Sequence, residues 1–237
     1  MKQGGGCTVS RFLNRWRTPA TGRVMKVAIY DLDKTLVRRA TFTPFLVFAA
    51  RRLAPVRLTF TPVWVLLMIG YKLGLYSRTR LKIMGMRLML GRQDLALLRE
   101  TGRQFADAHI ERAGWLECVT SMLREDQSAG ARVAIATAAF EFYAQAFAER
   151  LGVETLIATR WDGMSIPGGN CYGDAKRRRV EEWLGAPASD TRMRFVSDSF
   201  ADEPLLDLAQ DPVFVTTSGA KRDRALAKGW KVIDGEG

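Results

Sequence analysis

Five short apolar runs govern what this chain can fold into: Lys26–Tyr30, Arg132–Thr137, Thr155–Ala158, Met193–Val196 and Val213–Val215. Each is too short for a helix, and most are rich in branched residues, which reads as strands buried on both faces. Helical spacing fills the intervals, for instance over 141–151 and 176–184. Strands alternating with helices predict an α/β fold, a Rossmann-like doubly wound parallel sheet with helices on both faces, whose ligands sit at the carboxyl ends of the strands. The alternation breaks once. Residues 38–125 contain no convincing strand and carry helical spacing, with Leu81, Met84 and Leu88 on one face and Arg80, Lys82 and Arg87 on others. The predicted organisation is therefore a basic tail at 1–24, an α/β core at 25–37 and 126–237, and a helical cap inserted at 38–125.

The charge distribution singles out the same insertion. The 237 residues hold 36 Lys and Arg against 25 Asp and Glu, a net charge of +11. Thirteen of the basic residues and two acids, Asp94 and Glu100, lie between Arg38 and Arg103, so the excess belongs to that segment. Within it, residues 58–71 run fourteen positions without a charge, and 40–50 form a second uncharged stretch. A membrane-crossing helix needs about 20 apolar residues, so neither stretch spans a bilayer. Two readings stay open: cap helices packed on one another, or an interfacial segment lying in the headgroups of an anionic membrane, where each basic residue contributes about 1 kcal/mol. Nucleic acid is not an expected partner, because basic and aromatic residues do not interleave on any predicted strand. Four glycines of the insertion, Gly70, Gly74, Gly85 and Gly91, are candidate hinges or helix ends.

Other residue counts narrow the chemistry. Three scattered cysteines, Cys7, Cys118 and Cys171, exclude a disulfide scaffold and fit a reducing compartment. The first 26 residues hold six basic residues and no apolar run of the kind a secretory signal needs, which predicts a cytoplasmic location, with the cap able to place the protein on the inner face of the membrane. The single histidine, His109, rules out mechanisms built on paired histidines. Hydrolysis here has to run on carboxylates.

Those carboxylates occur where an α/β sheet places ligands. Asp31 and Asp33 follow the first predicted strand directly. Thr137 ends the second, and Ala138-Ala139 after it could open a helix whose free N–H groups suit a phosphate. Lys176 opens a helix in Gly-Asp-Ala-Lys-Arg-Arg-Arg, and Asp198, Ser199 and Asp202 follow the strand at Met193. Oxygen ligands gathered at one sheet edge are what Mg²⁺ prefers. Each residue alone has an ordinary explanation as a helix cap or turn residue. Their order along the chain does not.

With DLDKTL at Asp31–Leu36, the strand ending at Thr137, Lys176 and SDSFADEPLL at Ser197–Leu206, the sequence resembles the haloacid dehalogenase (HAD) superfamily. Within it, the chain is similar to the subfamily that includes phosphoserine phosphatases. The resemblance implies that Asp31 is the nucleophile forming an aspartyl-phosphate, and that Asp33 is the general acid and base. It implies that Thr137 and Lys176 hold the phosphoryl group. Mg²⁺ would lie on the Asp31 carboxylate, the Asp33 carbonyl and Asp198, with Ser199 and Asp202 in support. Two departures stand out: Lys34 replaces the glycine common after the second aspartate, and Arg177–Arg179 follow the lysine. The basic cap and the SDSFADEPLL ending look like bacterial phosphatases acting on phosphatidylglycerophosphate, which implies a lipid phosphate substrate. A soluble phosphomonoester such as phosphoserine is the alternative, and a non-catalytic membrane-binding protein of the same fold is a third.

Overall fold

The computed structural model describes residues 25–185 and 191–235. The tail expected at 1–24 lies outside them. Six strands form one sheet: β1 (Met25–Tyr30), β2 (Arg132–Phe140), β3 (Thr155–Thr159), β4 (Thr191–Ser197), β5 (Asp211–Val215) and β6 (Lys231–Ile233). All pairings are parallel and the order is β3-β2-β1-β4-β5-β6. The five expected strands are all present. The sixth, three residues at the sheet edge, is too short to announce itself by pattern.

Alternation along β1 sends its side chains to two cores. Ala28 and Tyr30 face Val119, Leu123 and Phe147, whereas Val27 and Ile29 face Val180, Leu184, Leu205 and Ala225. The first layer is made by α5 (Glu117–Ser128) and α6 (Glu141–Arg150), the second by α7 (Asp174–Leu184), α8 (Glu203–Leu206) and α9 (Gly219–Ala227). Connections leave β1 toward one side of the sheet and β4 toward the other, so a crevice opens between their carboxyl ends. Asp31 follows β1 and Asp198 follows β4.

The insertion is helical, as its spacing predicts. It comprises α1 (Phe42–Leu53), a 3-10 helix at Pro55–Phe60, α2 (Thr61–Lys72), α3 (Arg78–Met89) and α4 (Leu95–Ala113). Its limits are tighter than 38–125. The outgoing and returning chains meet as Val37 bridges Trp115, Arg38 N–H donates to the Gly114 carbonyl at 3.3 Å and Leu116 N–H donates to the Leu36 carbonyl at 2.8 Å. Helix α5, with Val119, Met122 and Leu123 buried, therefore belongs to the core.

Two contacts seat the cap. Gly102 of α4 lies so close to α6 that a β-carbon there would stand 2.7 Å from the Phe142 carbonyl. The rings of Phe45 and Tyr143 stack with centroids 4.7 Å apart, and Phe105 meets both edge-on. Of the four glycines read as hinges or helix ends, Gly70 and Gly85 are packed inside helices, Gly85 beneath Trp64, while Gly74 and Gly91 stand just past the ends of α2 and α3 at φ 78° and 69°. Among the described residues no helix is long and apolar enough to cross a membrane. Cys118 and Cys171 are both buried.

Candidate active site

A cavity of about 220 Å³ at the carboxyl ends of β1, β2 and β4 is lined by Asp31, Asp33, Thr137, Lys176, Asp198, Ser199 and Asp202. All seven residues expected from the sequence converge there. A hollow of about 500 Å³ between α4 and α6 is larger, but it holds Arg99, Arg103, Glu141 and Glu149 with no group placed for bond-breaking chemistry.

Lys176 organises the floor. Set in the first turn of α7 and 1% exposed, it donates to Asp31 Oδ1 at 2.9 Å and to Asp202 Oδ2 at 2.7 Å. Burial works against its charge, but Asp202 and Asp31 outweigh that and hold its pKa above the ordinary lysine value. Asp202 Oδ2 also accepts from Ser197 Oγ at 2.7 Å, while its buried Oδ1 has no hydrogen-bond partner. Burial pushes the Asp31 carboxyl up to about 7, Lys176 opposing and Asp202, Asp198 and Asp33 adding to the rise. Burial also pushes Asp198 up to about 6 against the pull of Lys221 and Lys34.

Four carboxyl groups thus share one cavity with one fully buried ammonium. That surplus of hard oxygen donors, together with the orphaned Asp202 oxygen, fits a small divalent cation. No three acidic, histidine or cysteine side chains among the described residues converge as a ready-made cage. A cation here would take carboxylate oxygens from the protein and leave its other positions to water and phosphate oxygens, the ligand share typical of Mg²⁺.

Asp33 is gripped from the cap. Its Oδ1 accepts from the Thr41 amide at 2.9 Å and the Thr41 hydroxyl at 2.7 Å. Thr41 Oγ1 lies 3.2 Å from the Tyr143 hydroxyl. Because the Thr41 proton goes to the carboxylate, the phenol donates to Thr41. With Oδ1 so occupied, Oδ2 is the Asp33 oxygen left to carry a proton. Neither Thr41 nor Tyr143 is signalled by the sequence.

Thr137 does reach the cavity, though not as the end of a strand. Strand β2 continues to Phe140 and α6 opens only at Glu141. The ladder with β3 pairs Ala136 with Ile157 and next Phe140 with Thr159, so residues 137–139 bulge from the sheet. Bulges re-aim side chains beside active sites, and here Thr137 Oγ1 accepts from the Ala139 amide at 3.0 Å. The Ala138-Ala139 pair is therefore a bulge and does not start a helix.

Lys34 stands at φ 58°, which explains the usual glycine at this position: the left-handed conformation costs an L-residue about 1 kcal/mol. Lys34→Gly is expected to raise unfolding free energy by about 0.5–1 kcal/mol in a denaturant titration, while raising the Asp198 pKa further by removing a nearby cation. Of the Arg177–Arg179 run, Arg177 pairs with Glu181 at 2.9 Å and Arg179 donates to the carbonyls of Ala158, Gly168 and Gly169, so neither turns to the cavity. Ser199 Oγ accepts from the Ala201 amide at 3.3 Å, fixing the turn that carries Asp198 and Asp202.

The cap supplies the mouth. Arg78, at the start of α3, and Tyr172 both line the cavity, the guanidinium 4.6 Å from the ring centroid. Their side chains are brought together by folding across 94 positions, a distance that leaves no local pattern.

Comparison with known proteins agrees with this geometry. The family profile described as haloacid dehalogenase-like hydrolase matches residues 28–207. A curated relative, the inhibition of morphological differentiation protein of Streptomyces azureus, is 29% identical over 124 residues, which cover 48% of this chain and 44% of that protein. The chain thus matches less than half the length of that relative. Among solved structures, a protein of unknown function from Bordetella pertussis is 26% identical with a TM-score of 0.77, covering 90% of this chain and 100% of that one. A phosphoserine phosphohydrolase-like protein from Francisella tularensis shares the fold at 16% identity and a TM-score of 0.59, covering 88% and 95%. The matched span runs from β1 through α8 and so contains the carboxylates that follow β1 and β4, the lysine of α7 and the bulged threonine of β2; the chain belongs to the haloacid dehalogenase-like hydrolase family.

Proposed function

We propose that the protein is a Mg²⁺-dependent phosphomonoester hydrolase acting on a lipid phosphate, such as phosphatidylglycerophosphate, at an anionic membrane surface. A carboxylate oxygen of Asp31 attacks phosphorus, and the bond from phosphorus to the leaving oxygen breaks as Asp33 Oδ2 delivers its proton to that oxygen. The resulting aspartyl-phosphate is then attacked by water. Asp33 takes up the water's proton, the bond from phosphorus to the Asp31 oxygen breaks, and inorganic phosphate leaves. Lys176 and Thr137 offset the charge on the transferring group. Bound Mg²⁺, held by Asp31, the Asp33 carbonyl and Asp198, would neutralise phosphoryl charge.

One observation favours a lipid over a soluble ester. Helix α2 is apolar all round yet buried on one side only. Val63, Val65, Leu66 and Ile69 of α2 and Leu73 beyond it form an exposed arc, continued by Val56, Phe60 and Leu75, with Leu66 65% and Leu73 71% exposed. An exposed apolar surface of this kind marks an interaction site. It is flanked by the exposed cations Lys72 and Arg80, which suit anionic headgroups. Leu73–Ser77 connect this surface in sequence to Arg78, which lines the cavity, and this continuity supports the lipid reading.

The test is co-sedimentation with phosphatidylglycerol vesicles at low salt, with phosphatidylcholine vesicles beside them. The wild type is expected to pellet with the anionic vesicles. The pair Leu66→Glu, Leu73→Glu is expected to stay in the supernatant, with hydrolysis of a soluble aryl phosphate unchanged. No sedimentation, with phosphoserine hydrolysed faster than any lipid phosphate, would leave the soluble-ester reading in its place.

A further inference from the structure

The bulge in β2 takes the Ala138 carbonyl out of the sheet ladder at a buried position, where an unpaired carbonyl is costly. Two donors collect it. One is Thr159 Oγ1 of β3, at 2.8 Å, and the other is Lys82 Nζ, from the cap. Lys82 lies on α3 one turn beyond Arg78 and is 2% exposed. Its ammonium also donates to Asn170 Oδ1 at 3.0 Å and sits 5.0 Å from the Phe140 ring centroid and 5.5 Å from that of Phe42. Burial, with Arg78 adding to it, brings its pKa down to about 7. Among the described residues no carboxylate is within ion-pair distance of it. An apolar side chain of similar length would fill the same space without the desolvation cost.

What an apolar side chain would not do is hold the Ala138 carbonyl. That carbonyl and the Ala139 N–H belong to one planar peptide, and the Ala139 N–H donates to Thr137 Oγ1 at 3.0 Å. Fixing the oxygen at one edge of that plane therefore fixes the N–H, which points the opposite way within it, and with it the hydroxyl that lines the cavity. We propose that Lys82 is a positioning residue through which the seated cap sets the orientation of the phosphate-binding turn at Thr137–Ala139. The inference rests on the reading of that turn as the phosphoryl cradle.

The full-length protein, with Lys82→Met and Lys82→Ala, tests this on p-nitrophenyl phosphate with Mg²⁺, a substrate with no acyl chain to seat on α2. In Lys82→Met, kcat is expected to fall about 30- to 100-fold, the range for a displaced catalytic group, with KM within about threefold and the thermal midpoint no lower than wild type. Added n-propylammonium is expected to restore part of kcat in Lys82→Ala, whereas tetramethylammonium, which has no N–H, is expected to restore none. A kcat for Lys82→Met within threefold of wild type overturns the inference and leaves the phosphatase reading intact. A fall in kcat matched by loss of folding, without amine rescue, overturns it in favour of a purely structural lysine. A wild type inactive on every phosphomonoester overturns the phosphatase reading itself, and this role with it.

Discussion

Asp31→Asn is expected to lower kcat by about 10⁴-fold or more on any phosphomonoester the wild type accepts, the scale of loss when a nucleophile is removed. Asparagine keeps the shape of the side chain and an oxygen for Lys176, which now donates to Asp31 Oδ1 at 2.9 Å. It removes the carboxylate that, in the proposed mechanism, forms the bond to phosphorus. Stability is expected to hold or rise, because burial and three neighbouring carboxyls already disfavour the charge on Asp31 and push its pKa up to about 7. The two readouts separate chemistry from folding: steady-state phosphate release for the first, thermal unfolding for the second. Borohydride trapping gives an independent check, since reduction of an aspartyl-phosphate leaves homoserine at position 31. Residual activity within tenfold of wild type, or homoserine at another position, would remove Asp31 from the nucleophile's role.

Lys176→Met is expected to act on both quantities at once. It strips the buried ammonium that pairs with Asp31 and Asp202, which are 5% and 1% exposed. Breaking a buried pair by removing one partner costs about 3–5 kcal/mol, and the phosphoryl group loses the charge that offsets its own, so kcat is expected to fall by about 10³-fold. The pH dependence has a definite sign. Without Lys176 the folded-state pKa of Asp31 moves above its present value of about 7, while in the unfolded chain the group titrates near its ordinary 3.8. Between those values the folded state binds more protons than the unfolded one, so stability falls as pH rises through the window and returns as pH drops toward 4. Urea unfolding of the variant at pH 5 and pH 8 measures this. A flat profile would mean that water enters the cavity and solvates the pair.

The carboxylates of the candidate site are legible in the sequence because Asp31, Asp33, Asp198 and Asp202 follow strands with a local signature. An apolar run ending in Asp31-Leu-Asp33, or in Val196-Ser-Asp198, places its carboxylates by strand periodicity alone. What escaped were pairings that only the tertiary fold creates: Thr41 with Asp33 across the cap boundary, Arg78 with Tyr172, and Lys82 with the Ala138 carbonyl 56 positions away. The bulge at 137–139 escaped because Thr-Ala-Ala inside a strand run has no glycine or proline to mark it. The end of the insertion is not legible in the sequence, since α5 carries the same helical spacing as the cap helices and differs only in what its buried face meets.

The junction where Val37 bridges Trp115 has a further meaning for how such a chain acquires new substrates. Because departure and return are adjacent, the core tolerates whatever lies between them at little closure cost, which grows only slowly with length. Segment 39–113 is in that sense a removable graft. Its attachment, however, is not confined to the junction: Gly102 against the Phe142 backbone and the Phe45–Tyr143 stack bind it to α6. A transplant between relatives that moves only the loop ends would fold as two pieces that fail to meet, whereas one that carries α6 along with the graft would bring substrate choice and catalytic alignment together.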